Sequence, residues 1–385
     1  MLKKLRYIDY WVLIPYLILC VFGIIMVYSA SADYYIIANG KSAFSFLMRQ
    51  IAYVLMGVLI TFITFQLRLE VFRGKRFIKY FTAVMFLAYF YLMFFGRNTN
   101  GATGWIFIGP ISIQPSEVLK LFFILYLSNI LTKHRDRLEI DNDIMSFYRS
   151  PIVMVFIFVI LTYLQHDLGG SAINSAIALV IFFAAGVDYR KGIGIIFAGI
   201  ATGVFFLMAV ASRININTSN YMLQRIVGFA HPFELAKGAG NQLVNSYYAL
   251  GNGGIFGVGL GNSIQKKGYL PEANTDFIMS VVAEELGLIT VILIIGLLSL
   301  IIFRAIILGI RANSMYQTMI CYGIATYFTV QTFFNVGGVI GMLPITGVTF
   351  PFISYGGSSM VVLTVCIGLL LNISATQERE IKLRK

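Results

Sequence analysis

The sequence predicts an all-α, polytopic integral membrane protein with about ten transmembrane helices. Three observations carry that expectation. Hydrophobic residues make up 58% and charged residues 12% of the 385-residue chain, and the mean hydropathy is +0.81, outside the range of soluble globular chains. Apolar runs recur near 10–30, 48–67, 78–95, 117–131, 151–164, 171–187, 192–211, 277–303, 314–335 and 358–371, and most are long enough to cross a bilayer. Finally, 20 of the 29 lysines and arginines fall in the N-terminal segment, in alternate loops and in the C-terminal tail. The positive-inside rule then places both termini in the cytoplasm, as an even number of spans requires. That segregation explains the net charge of +12 by orientation and attraction to anionic membrane lipids, without nucleic acid as a partner. Cys20, Cys321 and Cys366 lie in separate apolar runs and suggest neither a disulfide framework nor a metal site.

In chain order, the first run has no cleavage site after it and reads as a retained anchor. The second and third spans flank a basic loop, 68–79. Before the fourth lies "NGATGWIFIGPISIQPSEVLKL", 100–121, with Gln114 as N-cap, Pro115 as first helical residue and Glu117 two residues further on. Lys120, one turn beyond Glu117, is a cation inside an outer-facing apolar run, and so a candidate for binding rather than a snorkelling side chain. "QHDLGGSA", 165–172, reads as a turn capped by Asp167. The seventh span is followed by a large outer loop, about residues 212–276, long enough to be functional. Its stretch "GNGGIFGVGLGNSIQKKGYL", 251–270, and its cations Arg213, Arg225, Lys237, Lys266 and Lys267 suit an anionic ligand, because glycines let backbone amides approach and cations supply charge.

The eighth span opens with "GYLPEANTDFIMSVVAEELG", 268–287. On a helix starting near Thr275, Asp276 occupies the first turn, Glu284 falls about 80° from it and Glu285 about 180°. Glu284 is therefore expected to share a cavity with Asp276, whereas Glu272 and Glu285 read as loop and packing residues. "NVGGVIGMLPITGVTFPFISYGGSS", 335–359, is apolar but broken by Pro344, Pro351 and glycines. Irregular backbone at membrane depth has to be buried in protein or line a cavity.

Taken in order, "NGATGWI…QPSEVLKL", "QHDLGG", "ALGNGGIFGVGLGNSIQKKGYLPEANTDFI" with "AEELG", and "GMLPITGVTFPFISYGGSS" resemble the SEDS family (shape, elongation, division and sporulation) of ten-span peptidoglycan glycosyltransferases. The likeness covers nearly the whole chain, 1–385, as one transmembrane domain, and "FGIIMVYSAS" looks more like the division branch than the elongation branch. Thr103 and Gly104 stand before Trp105 where the family often has a basic residue, and Asn274 stands where it often has His. The resemblance implies polymerisation of lipid II with inversion, undecaprenyl diphosphate being the leaving group. It implies Asp276 as the essential carboxylate, acting as a base or holding a metal. Lys120, Arg225, Lys266 and Lys267 become candidates for the diphosphate, Glu117 for orienting Lys120, Trp105 for a sugar face and Glu284 for a second acid. A divalent cation, Mg or Mn, is the one cofactor to expect, with no organic cofactor. The implied partners are a class B penicillin-binding protein (a transpeptidase) and other divisome or elongasome proteins. The implied location is the plasma membrane, multi-pass, at the division septum, with the active site on the outer face. Competing readings are a lipid II flippase without covalent chemistry, an ion-coupled transporter and a scaffold with a vestigial site. For the transporter, no inverted repeat is visible.

Overall fold

A computed structural model describes residues 2–32, 43–97, 103–109, 111–141, 144–186 and 221–384. The span expected at 192–211 and the cation Arg213 lie outside these residues. After a 3-10 turn (Leu2–Tyr7) come α1 (Tyr10–Ser31), α2 (Ala43–Gln66), α3 (Leu69–Arg73) and α4 (Lys75–Phe95). A small hairpin of β1 (Ile106–Ile108) and β2 (Ile111–Ile113) precedes α5 (Pro115–Asp141), α6 (Ile144–Leu164) and α7 (Leu168–Ala184). The chain continues with α8 (Tyr221–Ala230), α9 (Asn241–Gly253), α10 (Ile278–Ile310), α11 (Met315–Val339) and α12 (Gly357–Arg384). Six of the described helices are long and apolar enough to cross a membrane: α1, α2, α4, α10 and most of α5 and α12.

Helix α5 forms the centre of the molecule. Leu119, Phe122, Phe123, Ile124 and Leu127 are fully buried against α4, α6, α7, α11 and α12. By contrast, α2 and α4 turn Leu55, Leu59, Leu87, Phe90 and Met93 outward, the surface a bilayer covers. Asp9 caps α1, accepting from the Trp11 backbone N–H at 3.1 Å, and also binds Arg304 of α10 at 2.6 Å and Ser374 of α12 at 2.8 Å. One carboxylate thus ties three spans together at a single level.

The helix expected to run unbroken through 277–303 is interrupted at Gly287, where the backbone takes φ 77°, ψ 176°. The Gly-rich stretch of the outer loop fills this break. Val258 and Gly259 donate backbone N–H bonds to the carbonyls of Glu284 and Glu285 at 3.0 and 2.9 Å, and Leu288 N–H donates to Gly254 at 3.0 Å. A Cβ at Gly287 would stand 2.2 Å from the Ile255 carbonyl oxygen, and one at Gly257 2.3 Å from that of Glu285. The glycines expected to present amides to an anion instead bring two backbones together, because a broken helix inside the fold needs its freed polar groups satisfied. The described part of the long loop, from residue 221, also carries two helices, α8 and α9, that its composition did not announce.

Candidate active site

Asp276 lies two residues before α10, in the turn that follows the outer loop, not in the helix's first turn. The carbonyls around it are fixed one after another by the segment 335–355. Tyr355 N–H donates to the Asn274 carbonyl at 2.9 Å, Ser354 Oγ to that of Thr275 at 2.7 Å, and Asn335 Nδ2 to that of Asp276 at 2.7 Å. The irregular stretch between α11 and α12 thus holds the aspartate in place. Gly347, at φ 74°, sits where a Cβ would be 3.4 Å from both Asp276 Oδ2 and Arg225 Nη1. The two charged side chains converge on that point because no side chain occupies it.

Asp276 and Arg225 line a cavity of about 790 Å³ together with Trp105, Glu117, Asp167 and Lys237. Beneath it, Lys120 (1% exposed) donates to Glu117 at 2.6 Å and to Gln331 at 3.0 Å. Its ammonium stands 4.9 Å from the centre of the Tyr327 ring. A lysine this deep is stable as a cation only with such partners. Asp167 caps α7, accepting from Gly170 N–H at 2.7 Å, and its second oxygen accepts from Ser116 Oγ at 2.6 Å. The capping role read from the turn is therefore present, and the same side chain faces the cavity. Burial pushes the Asp276 carboxyl up to about 7, Glu272 and Asp167 adding to the rise and Arg225 opposing it. A carboxylate in that range is suited to taking a proton near neutral pH.

The eight residues singled out from the sequence divide between cavity and scaffold. Trp105, Glu117, Arg225 and Asp276 line the cavity, and Lys120 lies under its floor through Glu117. Lys266, Lys267 and Glu284 are not among the lining residues. Glu284 is fully buried and clamps the Gly-rich loop, accepting from Ser263 Oγ, Asn252 Nδ2 at 2.9 Å and Ile264 N–H at 3.1 Å. The helical-wheel argument that paired it with Asp276 does not apply, because Asp276 precedes the helix. Lys266 is buried in an ion pair with Glu285 at 2.8 Å, with Ser29 Oγ 3.1 Å away, while Lys267 is exposed. Lys237, one of the loop cations suited to an anion, also lines the cavity, and so does Asp167, which the sequence had marked only as a cap. Among the described residues no three acidic, histidine or cysteine side chains converge closely enough to hold a metal ion.

A helical membrane domain with a charged, acid-lined cavity over a buried ion pair defines a multi-pass membrane protein equipped for polar chemistry at the edge of the bilayer. The chain belongs to the cell cycle protein family of FtsW, RodA and SpoVE, whose profile matches residues 10–379. It is 38% identical to a probable peptidoglycan glycosyltransferase FtsW of Enterococcus hirae, over 98% of this chain and 94% of that one. A protein of the same description from Bacillus subtilis is 37% identical, over 97% and 92%. Among solved structures, a chain of a peptidoglycan synthase complex, studied for the coordination of polymerization and crosslinking, matches with a TM-score of 0.72. It is 23% identical, over 96% of this chain and 98% of that one. RodA of Thermus thermophilus matches at 0.66 and 24% identity, over 95% and 96%.

Proposed function

We propose that the protein polymerises lipid II into glycan strands, as a peptidoglycan glycosyltransferase of the division branch. The observation that carries this reading is the fixed, half-buried Asp276, which shares one cavity with Arg225 and whose carboxyl is pushed by burial up to about 7. Relatives described as FtsW at 38% and 37% identity support the division branch.

The chemistry needs a base and a cation. The 4-hydroxyl of one GlcNAc attacks the anomeric carbon of the MurNAc at the end of the other chain. A C–O bond forms, the bond to diphosphate breaks, and the α-linked donor becomes a β-linkage. Asp276 takes the hydroxyl proton, and Arg225 and Lys237 stabilise charge on the leaving diphosphate. Glu117 and Lys120 neutralise each other and give the cavity floor a fixed shape. We place the active site on the outer face of the plasma membrane at the septum, next to a class B penicillin-binding protein. The peptidoglycan synthase complex that shares this fold supports such a partner.

The test is polymer formation from lipid II by the purified protein in detergent, with and without that transpeptidase and Mg2+ or Mn2+. Glycan made by the wild-type chain and reduced about 10²–10⁴-fold by Asp276→Asn is the expected result. Absence of polymer with every addition, alongside passage of labelled lipid II across liposomes, would replace the polymerase with a flippase.

A further inference from the structure

Arg49 lies six residues inside α2, exposed and without a hydrogen bond or ion pair among the described residues. The next residue, Gln50, is 1% exposed, and neither its amide nitrogen nor its amide oxygen has a partner among the described residues. An unpaired arginine within a span is costly and marks a site. Snorkelling to the headgroups alone would account for Arg49, but not for a buried amide left unsatisfied at a cost of about 1–3 kcal/mol.

Both residues sit at the cavity end of α2. Phe46 and Tyr53, one turn to either side of Gln50, pack their rings 5.3 and 6.0 Å from that of Tyr355, a cavity-lining residue. Tyr53 also fits against Gly357, where a Cβ would stand 2.9 Å from its Cζ. Arg49 is within electrostatic reach of Tyr53. From this point Met48, Leu55, Leu59 and Phe62 continue down α2 as an exposed apolar strip.

We propose that Arg49, Gln50 and Tyr53 form a lipid-side subsite that holds the diphosphate of a polyprenyl diphosphate while its chain lies along the apolar strip of α2. The guanidinium fork matches phosphate oxygens, the Gln50 amide gains an acceptor, and the Tyr53 ring, its hydroxyl already bonded to Tyr355, walls the subsite on the cavity side. A lipid approaching from the bilayer meets this subsite before the wall formed by Tyr355. The inference rests on the polymerase reading for its choice of lipid.

The experiment measures binding of undecaprenyl diphosphate to the full chain in phosphatidylcholine nanodiscs. Arg49→Ala weakens binding about tenfold or more, and Arg49→Lys less, because a lysine offers a point charge in place of the fork. Gln50→Leu weakens binding yet raises the melting temperature, a combination that a merely structural glutamine does not give. Undecaprenol binds all variants equally. Unchanged affinity in Arg49→Ala or Gln50→Leu, or displacement by phosphatidylglycerol at equal concentration, overturns the proposal. Binding is measured without turnover, so Arg49-dependent binding in a chain that makes no polymer would leave this subsite standing and remove the catalytic reading.

Discussion

Asp276 combines two properties that pull in opposite directions. A carboxyl raised from 3.8 to about 7 is a better base, and it also makes the folded state bind a proton more tightly than the unfolded chain does. Its contribution to stability is therefore complete below about pH 4 and is lost as pH rises to about 7. Polymerisation, which needs the charged form, is expected to rise through pH 7 and level off above it. Asp276→Asn should melt higher than wild type at pH 8 and the same at pH 4, while its residual polymerisation no longer rises through pH 7; a melting difference that ignores pH would sink this account. Asn335 gives a second prediction at this scale. Its amide donates to the carbonyls of Asp276 and Val348, both at 2.7 Å, so Asn335→Ala frees the turn that aims the carboxylate. Turnover should drop about tenfold or more with KM little changed; a change confined to KM would assign Asn335 to substrate binding instead.

The elements differ in how far the sequence announced them. Pro115 and Glu117 mark the start of α5 because capping chemistry is local, and the i,i+3 spacing of Glu117 and Lys120 already puts them on one face. The hairpin at 106–113 escaped notice because each strand is only three residues long, and of "IFI" and "ISI" only the second alternates apolar with polar. Lys266 and Glu285 could not be paired from the sequence. Their contact exists only because the loop enters the break at Gly287, nine residues into α10 and about 13 Å along its axis. For the same reason Gly287→Ala is expected to destabilise by on the order of 3 kcal/mol or more, since its Cβ meets backbone and its φ is positive. Thermal melting in detergent checks this, and a wild-type melting temperature would show that the loop does not occupy the break.

At the level of the whole molecule, composition made the membrane class legible and charge placement suggested an orientation. The cavity was not legible, because it is assembled from β1's approach, the α7 cap, α8 and the 335–359 segment, which are distant in sequence. Buried charge follows the same division. Lys120 and Lys266, both expected to bind substrate, each have a carboxylate partner within 2.8 Å, leaving Arg225 and Lys237 as the cations of the lining. Breaking the deeper pair by Glu285→Leu or Lys266→Met should each cost about 3–5 kcal/mol, while the double change, two apolar residues of similar volume, recovers most of it. Additive losses in that double-mutant cycle would mean the two charges are not coupled. The way the loop completes the broken helix has a further consequence for the order in which the protein is made. Ser263 and Lys266 are synthesised about twenty residues before Glu284 and Glu285, so each acid reaches the membrane after its partner is already in existence. A chain with the same contacts in the reverse order would have to deliver two bare carboxylates to the bilayer and wait.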